Sequence, residues 1–135
     1  MLDEPSNTEK KFQDKDLKIL IVEDDDTSEK MLELMIEDYC KNPLIATNGL
    51  DAVQLCKDHP DIDFVLMDIK LPELNGYEAT KQIREFNKDL LIFAQTAYAL
   101  PGDREKSIAA GCNDYISKPY SQSELTGLID KHFKK

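Results

Sequence analysis

The chain alternates short apolar runs with amphipathic stretches of about ten to fifteen residues, and this alternation constrains its fold more than any other feature. Such a pattern is typical of βα units wound around a parallel sheet. Five βα pairs fit the sequence. We place strands at residues 17–22, 44–47, 64–68, 90–95 and 114–117, and helices at about 27–38, 49–58, 76–86, 103–110 and 122–133.

The apolar runs at 17–22, 64–68 and 90–95 are continuous. A continuous run is typical of a parallel strand that helices cover on both faces, whereas a half-exposed antiparallel strand alternates apolar with polar residues. The sequence therefore predicts an α/β fold, a doubly wound five-stranded parallel sheet with five helices. A common strand order for such sheets is 2-1-3-4-5.

Residues 1–16 are polar, mixed in charge and poor in large apolar side chains, so we expect a flexible tail or linker there and one folded domain over 17–135. The leader lacks the apolar segment of a secretory signal, and no apolar run approaches the roughly 20 residues of a membrane span. We therefore expect a cytoplasmic domain without membrane contact.

Charge and cysteine content exclude further classes. Lys and Arg number 17 against 27 Asp and Glu, and the net charge of −10 repels nucleic-acid phosphates, so direct nucleic-acid binding is not expected. Cys40, Cys56 and Cys112 lack the C-x-x-C spacing of a metal or redox site, and their odd number argues against a disulfide framework. We expect free, partly buried thiols.

Local signals support several helix ends. Ser121 and Glu124 have the spacing of a capping box at the start of the last helix, and Asp26 with Glu29 has the corresponding spacing at the start of the first. Gly111 follows the fourth helical pattern, where a residue with positive φ is needed.

Two further sets of residues receive structural interpretations. Met31, Leu34 and Met35 recur at helical spacing and are interpreted as the core face of the first helix. His59 and His132 lie away from the acidic residues discussed next and are interpreted as surface residues rather than phosphodonors. His132 also suits the negative end of a helix dipole.

Acidic residues gather at the carboxyl ends of two predicted strands. Residues 23–26 (EDDD) follow the first strand directly, and Asp68 ends the third. In the order 2-1-3-4-5 these strands flank the point where ligands bind, so Glu23, Asp24 and Asp68 are expected to converge. Clustered carboxylates repel one another unless a cation joins them, and oxygen ligands favour Mg²⁺. The alternative for EDDD alone is a solvated turn that caps the first helix.

The other strand ends bring a hydroxyl and an amine to the same rim. The fourth strand runs into Thr96, and the fifth runs into Lys118 and Pro119. A carboxylate can act as nucleophile toward a phosphoryl group while Mg²⁺ and an ammonium neutralise charge and a hydroxyl donates a hydrogen bond. The residues thus predict phosphoryl chemistry at Asp68.

Four segments together resemble the response-regulator receiver family: ILIVEDDD, VLMDIKLPELNGYE, FAQTAYA and DYISKPY. The resemblance runs from about Leu17 to Phe133 and implies the flavodoxin-like (CheY-like) fold. It also implies that Asp68 is the phosphoacceptor and, with Mg²⁺ (or Mn²⁺) bound, a metal ligand. Asp24 would be a direct ligand, Glu23 a ligand through water, and Lys70 a ligand through its backbone carbonyl.

The same resemblance assigns roles around the phosphoryl group. Lys118 and Thr96 would contact its oxygens, the Lys118–Pro119 peptide would be cis, and Tyr115 would be the switch aromatic that turns inward as the threonine hydroxyl moves. Lys70 and Tyr98 fall at positions that tune phosphoryl lifetime. Our hypothesis is that Tyr98 partly covers the phosphoryl group and slows attack by water.

Partners and context follow from the resemblance as well. We expect a phosphoacceptor domain, not an enzyme in its own right, that receives its phosphoryl group from a sensor histidine kinase or a histidine phosphotransfer domain. The contact surface would be the first helix with the loop before the fifth, and the face that switches would be formed by the fourth helix, fifth strand and fifth helix. The domain would be a monomer or a phosphorylation-dependent dimer.

Several alternatives remain at this point. The chain is either a stand-alone response regulator or part of a hybrid histidine kinase. Its sequence resembles the receivers of hybrid kinases, which favours the second alternative. A Mg²⁺-dependent aspartyl-phosphate phosphatase is a rival because DDDT follows an apolar strand, although Thr27 comes one residue too early. A pseudo-receiver that only binds partners would usually lack one of the site residues. A flavodoxin-like cofactor binder would need a phosphate loop where EDDD stands.

Overall fold

The computed structural model describes residues 17–97 and 101–133, in which strands and helices alternate. The strands are β1 (Ile19–Val22), β2 (Leu44–Ala46), β3 (Phe64–Asp68), β4 (Leu91–Thr96) and β5 (Asp114–Ser117). The helices are α1 (Asp26–Met35), α2 (Gly49–Asp58), α3 (Gly76–Arg84), α4 (Asp103–Ala110) and α5 (Gln122–Phe133). Within the described ranges, no helix has the length and apolar character needed to cross a membrane.

The strands form one parallel sheet in the order β2-β1-β3-β4-β5, which confirms the predicted fold class. Strand order reverses at β1, whose neighbours are β2 and β3. At the carboxyl edge, Asp68 of β3 pairs in register with Gln95 of β4, and Thr96 of β4 pairs with Ser117 of β5. The residues that follow β1, β3, β4 and β5 therefore meet at one edge of the sheet.

Helices cover both faces of the sheet, and alternate strand residues feed two separate cores. On one side Leu20 and Val22 of β1 pack with residues of α2 and α3. On the other side Ile19 and Ile21 pack with residues of α1 and α5. The continuous apolar runs are explained because both faces of each central strand are buried. Cys40, Cys56 and Cys112 are free and buried in these cores, as expected.

Helix α1 differs from its prediction in two respects. Its N-cap is Asp25, whose carboxylate accepts a hydrogen bond from the amide of Ser28, so the cap predicted at Asp26 is wrong by one residue. Its core face was mispredicted in part, because Met31 is 52% exposed and Leu34 is 66% exposed, whereas Met35 packs partly buried against the core. The apolar residues buried in the core are instead Leu32 of α1 and its C-cap residue Ile36. Apolar side chains on two sides of the helix made its periodicity ambiguous.

The ends of α4 and α5 agree with their sequence signals. Gly111 ends α4 at φ 116°, and Ser121 and Glu124 exchange the two hydrogen bonds of a capping box. His132 is not the plain surface residue that the sequence predicted, because its ring packs against Phe93 and its Nε2 lies 3.0 Å from Asp114 Oδ2. The last turn of α5 is thereby fastened to the start of β5.

Candidate functional site

Three carboxylates converge at the carboxyl edge of the sheet. Glu23 and Asp24 follow β1, Asp68 ends β3, and one ligand oxygen from each lies within 4.8 Å of the others. Glu23 and Asp68 are buried, at 2% and 5% exposure, whereas Asp24 is exposed to solvent. The predicted convergence of these three side chains is confirmed, and it follows from strand order alone.

Lys118 provides the positive charge beside these carboxylates. Its Nζ lies 2.8 Å from Glu23 Oε1 and 3.8 Å from Asp68 Oδ2. Its amide donates to the carbonyl of Thr96 at 2.7 Å, which ties the residue after β5 to the end of β4. The Lys118–Pro119 peptide is cis, as the resemblance implied.

The carboxyl group of Asp68 is held in an environment that disfavours its charge. Burial raises its pKa to about 7, the charge of Lys118 opposes that rise, and the neighbouring Glu23 carboxylate adds to it. The amide of Lys70 donates to Asp68 Oδ1 at 3.2 Å and favours the ionised form. One ammonium shared between two buried carboxylates leaves the cluster short of positive charge.

This donor set fits a divalent cation. All three groups offer hard oxygen ligands, which Mg²⁺ prefers over nitrogen or sulfur. The exposed side of the cluster at Asp24 leaves room for the water ligands that Mg²⁺ usually retains. The cluster can therefore bind a metal ion, which would also supply the missing positive charge.

The remaining predicted residues lie around this cluster or outside the described ranges. Thr96 is buried at the end of β4, and Tyr115 is half-buried against the core on the α2 and α3 side. Lys70 lies in the loop after β3, two residues beyond Asp68, and its side chain is exposed. Tyr98 lies outside the described residues, so the covering role predicted for it stays a prediction.

Gln95 and Tyr120 were missed by the sequence reasoning. The Tyr120 hydroxyl donates to Gln95 Oε1 at 2.6 Å, directly beneath the rim of the site. The sequence offered one signal for Gln95, because this glutamine follows four apolar residues in the segment LIFAQT of β4. The glycine at position 76 indicates a close approach of α3 to Asp68, since a Cβ on Gly76 would overlap the carbonyl oxygen of Asp68.

A groove of about 250 Å³ lies beside the acidic cluster, between α1 and the loop that leads into α5. Met31, Leu32 and Met35 line it from α1, and Pro119 and Tyr120 line it from the loop. Lys118 and Glu23 also border it. An apolar surface thus adjoins the charged site directly.

Comparison with known proteins identifies the family. The profile of the response regulator receiver domain matches residues 19–130, which is most of the chain. The chain belongs to the response regulator receiver family. This assignment agrees with the resemblance in the sequence and with the strand order.

Relatives of this receiver domain occur in different molecular contexts. It is 38% identical over 116 residues to the polar-differentiation response regulator DivK of Brucella anthropi, covering 84% of this chain and 94% of DivK. It is 30% identical over 137 residues to the sensor histidine kinase CheAY of Helicobacter pylori, covering 99% of this chain but only 17% of CheAY. Stand-alone and kinase-fused contexts are therefore both compatible with the receiver domain.

Two solved structures bear on the site. The receiver domain of a sensor histidine kinase from Pseudomonas aeruginosa, with a magnesium ion coordinated in its active-site cleft, has a TM-score of 0.78 at 36% identity, covering 85% of this chain and 95% of that one. The receiver domain of yeast Ssk1, crystallised with the histidine phosphotransfer protein Ypd1, has a TM-score of 0.78 at 32% identity, covering 85% of this chain and 87% of that one.

Proposed function

We propose that this receiver domain accepts a phosphoryl group from a phosphohistidine onto Asp68. The observation that carries the proposal is the setting of Asp68, a buried carboxylate 3.8 Å from an ammonium and clustered with two further carboxylates. In the transfer a carboxylate oxygen of Asp68 forms a bond to phosphorus as the phosphorus–nitrogen bond of the donor histidine breaks, and the imidazole leaves with the bonding electron pair.

Different residues of this chain would bind the metal ion and neutralise the phosphoryl oxygens during that transfer. Asp68, Asp24, Glu23 through water and the backbone carbonyl of Lys70 would hold Mg²⁺. When bound, the ion supplies positive charge to the oxygens of the transferring group. Lys118 pairs with Glu23 and already lies near Asp68, so a small movement of its long side chain carries the ammonium to a phosphoryl oxygen.

The response to phosphorylation would pass through the end of β4 and β5. In this proposal the Thr96 hydroxyl donates to a phosphoryl oxygen, and Tyr115 moves into the space that the threonine vacates. Tyr115 is half-buried on the face formed by α4, β5 and α5 and pairs in register with Ala94, two residues before Thr96. A change at Thr96 therefore reaches that face through adjacent strands.

A histidine phosphotransfer domain or a histidine kinase is the proposed partner, in the cytoplasm. Support comes from the exposed apolar residues Met31 and Leu34 on α1 and from the apolar groove between α1 and the loop before α5. Met31 lines this groove together with Lys118, at the proposed phosphoacceptor site where a donor histidine must arrive. The Ssk1 receiver, a relative by structure and sequence, crystallises with such a protein. The parent molecule is proposed to be either a stand-alone regulator or a hybrid kinase.

Replacing Asp68→Asn tests the proposal. Incubation with phosphoramidate and Mg²⁺ should give the native domain a mass gain of one phosphoryl group, which hydroxylamine removes. Asp68→Asn should lose this gain and keep its cooperative unfolding, because the exchange removes the nucleophile and preserves shape. Asp38→Asn, an exposed aspartate after α1, is the matched control and should behave as the native domain does.

Other outcomes would overturn the assignment. Phosphate retained by Asp68→Asn would move the acceptor to another residue, and labelling of Asp24 with turnover of a phosphomonoester would favour an aspartyl-phosphate phosphatase. Lys118→Ala should still accept phosphate more slowly and should chiefly fail to switch, which the loss of chemical-shift changes across β5 and α5 would reveal.

A further inference from the structure

Strand β4 buries a polar side chain where an apolar one would be less costly. Gln95 has 0% exposure and lies two residues after Phe93, on the sheet face that packs against α1 and α5. Its Oε1 accepts the hydrogen bond from Tyr120, whereas its Nε2 has no hydrogen-bond partner within residues 17–97 and 101–133. A buried amide that is only half satisfied destabilises a fold, so Gln95 calls for a role beyond packing.

A second hydrogen bond lies beside the one from Tyr120 to Gln95, and it joins Lys118, two residues earlier, to Thr96, one residue later on β4. The amide of Lys118 donates to the carbonyl of Thr96, and the hydroxyl of Tyr120 donates to Gln95, so the residues on either side of Pro119 are tied to consecutive residues of β4. Gln95 is itself the register partner of Asp68. Both ends of the segment that carries the amine are therefore fixed to the strand beside the phosphoacceptor.

We propose that Gln95 and Tyr120 are positioning residues that hold the Lys118 segment so that its ammonium stays at the Asp68 carboxylate. The inference rests on the proposed phosphoacceptor function. A lysine side chain has many rotamers, and fixing the backbone from which it extends lowers the entropic cost of holding its amine in place. The phenol remains a hydrogen-bond donor at neutral pH, because burial and the nearby carboxylates raise the pKa of Tyr120.

Tyr120→Phe removes the hydroxyl and leaves the ring. With saturating Mg²⁺ and phosphoramidate, we expect the maximal rate of Asp68 phosphorylation to fall by about three- to tenfold. This factor corresponds to the net free energy of one hydrogen bond. Tyr39→Phe is the matched control, because it removes a hydroxyl that donates to Asp130 at 2.8 Å and joins the segment after α1 to α5, away from the site. Its rate should stay within about twofold of the native rate.

A second pair of variants separates positioning from structure. Gln95→Met with Tyr120→Phe removes both polar partners, leaves no buried amide unsatisfied and should unfold no more easily than Tyr120→Phe alone. Its phosphorylation should nevertheless remain slow. In a Lys118→Met background, Tyr120→Phe should cause no further loss, because the effect of Tyr120 acts through the amine that is already missing.

Hydrogen exchange gives a readout that does not depend on phosphorylation. Amides of Lys118, Tyr120 and Ser121 should exchange faster in Tyr120→Phe than in Tyr39→Phe, because one of the two hydrogen bonds to β4 is lost. Native rates and native exchange in Tyr120→Phe, or an undiminished loss in the Lys118→Met background, would overturn the inference. A native domain that takes no phosphate at Asp68 would instead refute the proposed function, so the two failures are distinguishable.

Discussion

Glu29 and Asp68 are both buried carboxyl groups with a pKa raised to about 7, but their surroundings differ. Asp68 lies beside an ammonium and accepts a backbone hydrogen bond. Glu29 Oε2 has no hydrogen-bond partner within the described ranges, and Glu33 lies next to it as a second carboxyl group. The buried carboxyl group of Asp68 thus belongs to the proposed phosphoacceptor site, whereas burial of the Glu29 carboxyl group is a cost to stability.

Glu29→Gln should stabilise the domain in a pH-dependent way. Burial and Glu33 raise the pKa of Glu29 from 4.5 to about 7, so the folded state binds more protons than the unfolded chain between these values. Native stability is therefore lost as pH rises from 4.5 to 7. The variant should exceed the native free energy of unfolding at pH 8 by about 1–3 kcal/mol and match it at pH 4.

Urea unfolding at the two pH values measures this difference. Glu37→Gln, at an exposed position just after α1, is the control and should change the free energy of unfolding by less than about 0.5 kcal/mol at either pH. An equal effect of Glu29→Gln at pH 4 and pH 8 would show that ionisation of Glu29 is not the cause.

Residues at strand ends could be predicted, and residues joined through the core could not. Glu23, Asp24, Asp68 and Lys118 meet because each follows or ends a strand whose place in the sheet the apolar pattern predicts. The bond between Gln95 and Tyr120 joins side chains 25 residues apart on the buried face of the sheet. No local pattern specifies that pairing, because it depends on how the loop before α5 packs.

At the scale of elements, local residue chemistry predicted where most helices begin but not which face of α1 is buried. The starts of α2 to α5 agree with the prediction because caps and turn residues mark them. The face of α1 was misjudged in part, because the exposed Met31 and Leu34 fit a helical periodicity as well as the buried Leu32 and Ile36 do. Only contact with the sheet selects which of the two apolar stripes is buried.

Two glycines in helices should respond to alanine in opposite directions. A Cβ on Gly76, at the start of α3, overlaps the carbonyl oxygen of Asp68, so Gly76→Ala should lower the free energy of unfolding by about 1–3 kcal/mol. A Cβ on Gly127, in the middle of α5, meets nothing within 4 Å, so Gly127→Ala should raise it by about 0.5–1 kcal/mol.

Chemical denaturation of both variants is the measurement. Gly76→Ala should also slow phosphorylation by phosphoramidate, because the backbone that overlaps the new methyl group carries the proposed phosphoacceptor. Gly127→Ala should leave that rate unchanged. Equal stability of the two variants would mean that the close approach of α3 to β3 is not maintained in solution.

The junction of β5 and α5 should be sensitive to acid. Burial raises the pKa of Asp114, but hydrogen bonds from His132, the Tyr115 amide and Lys131 outweigh it and hold the pKa below its ordinary value of 3.8. A depressed folded pKa contributes stability that is present above the unfolded value and is lost as pH falls through the folded one. Asp114→Asn should therefore cost about 1–3 kcal/mol at pH 6 and less at pH 3.

Urea unfolding at pH 6 and pH 3 checks this prediction. Asp38→Asn, at an exposed position, should change the free energy of unfolding by less than about 0.5 kcal/mol at both. If Asp114→Asn cost the same at both pH values, packing of the side chain rather than its charge would fasten α5.

On the scale of the whole molecule, the acidic cluster and the exposed apolar residues of α1 lie at the same edge of the domain. The net charge of −10 disfavours a polyanionic partner. The α1 side offers exposed Met31 and Leu34 and the groove beside Lys118. Under the proposed function, a partner bound to this surface would place its histidine next to Asp68, so recognition and chemistry would share one edge of the sheet.

Leu34→Glu should separate recognition from chemistry. Leu34 is 66% exposed, so a charged side chain there leaves the core intact but adds a desolvation cost to any apolar contact. Under the proposed function, transfer to Asp68 from a phosphorylated histidine phosphotransfer protein should slow by about fivefold or more, whereas phosphorylation by phosphoramidate should keep its native rate. Leu50→Glu, at a 52% exposed leucine on α2 across the sheet, is the matched control and should slow neither reaction. Equal slowing by the two glutamates would exclude α1 as the docking helix, since only a surface in contact with the donor distinguishes them.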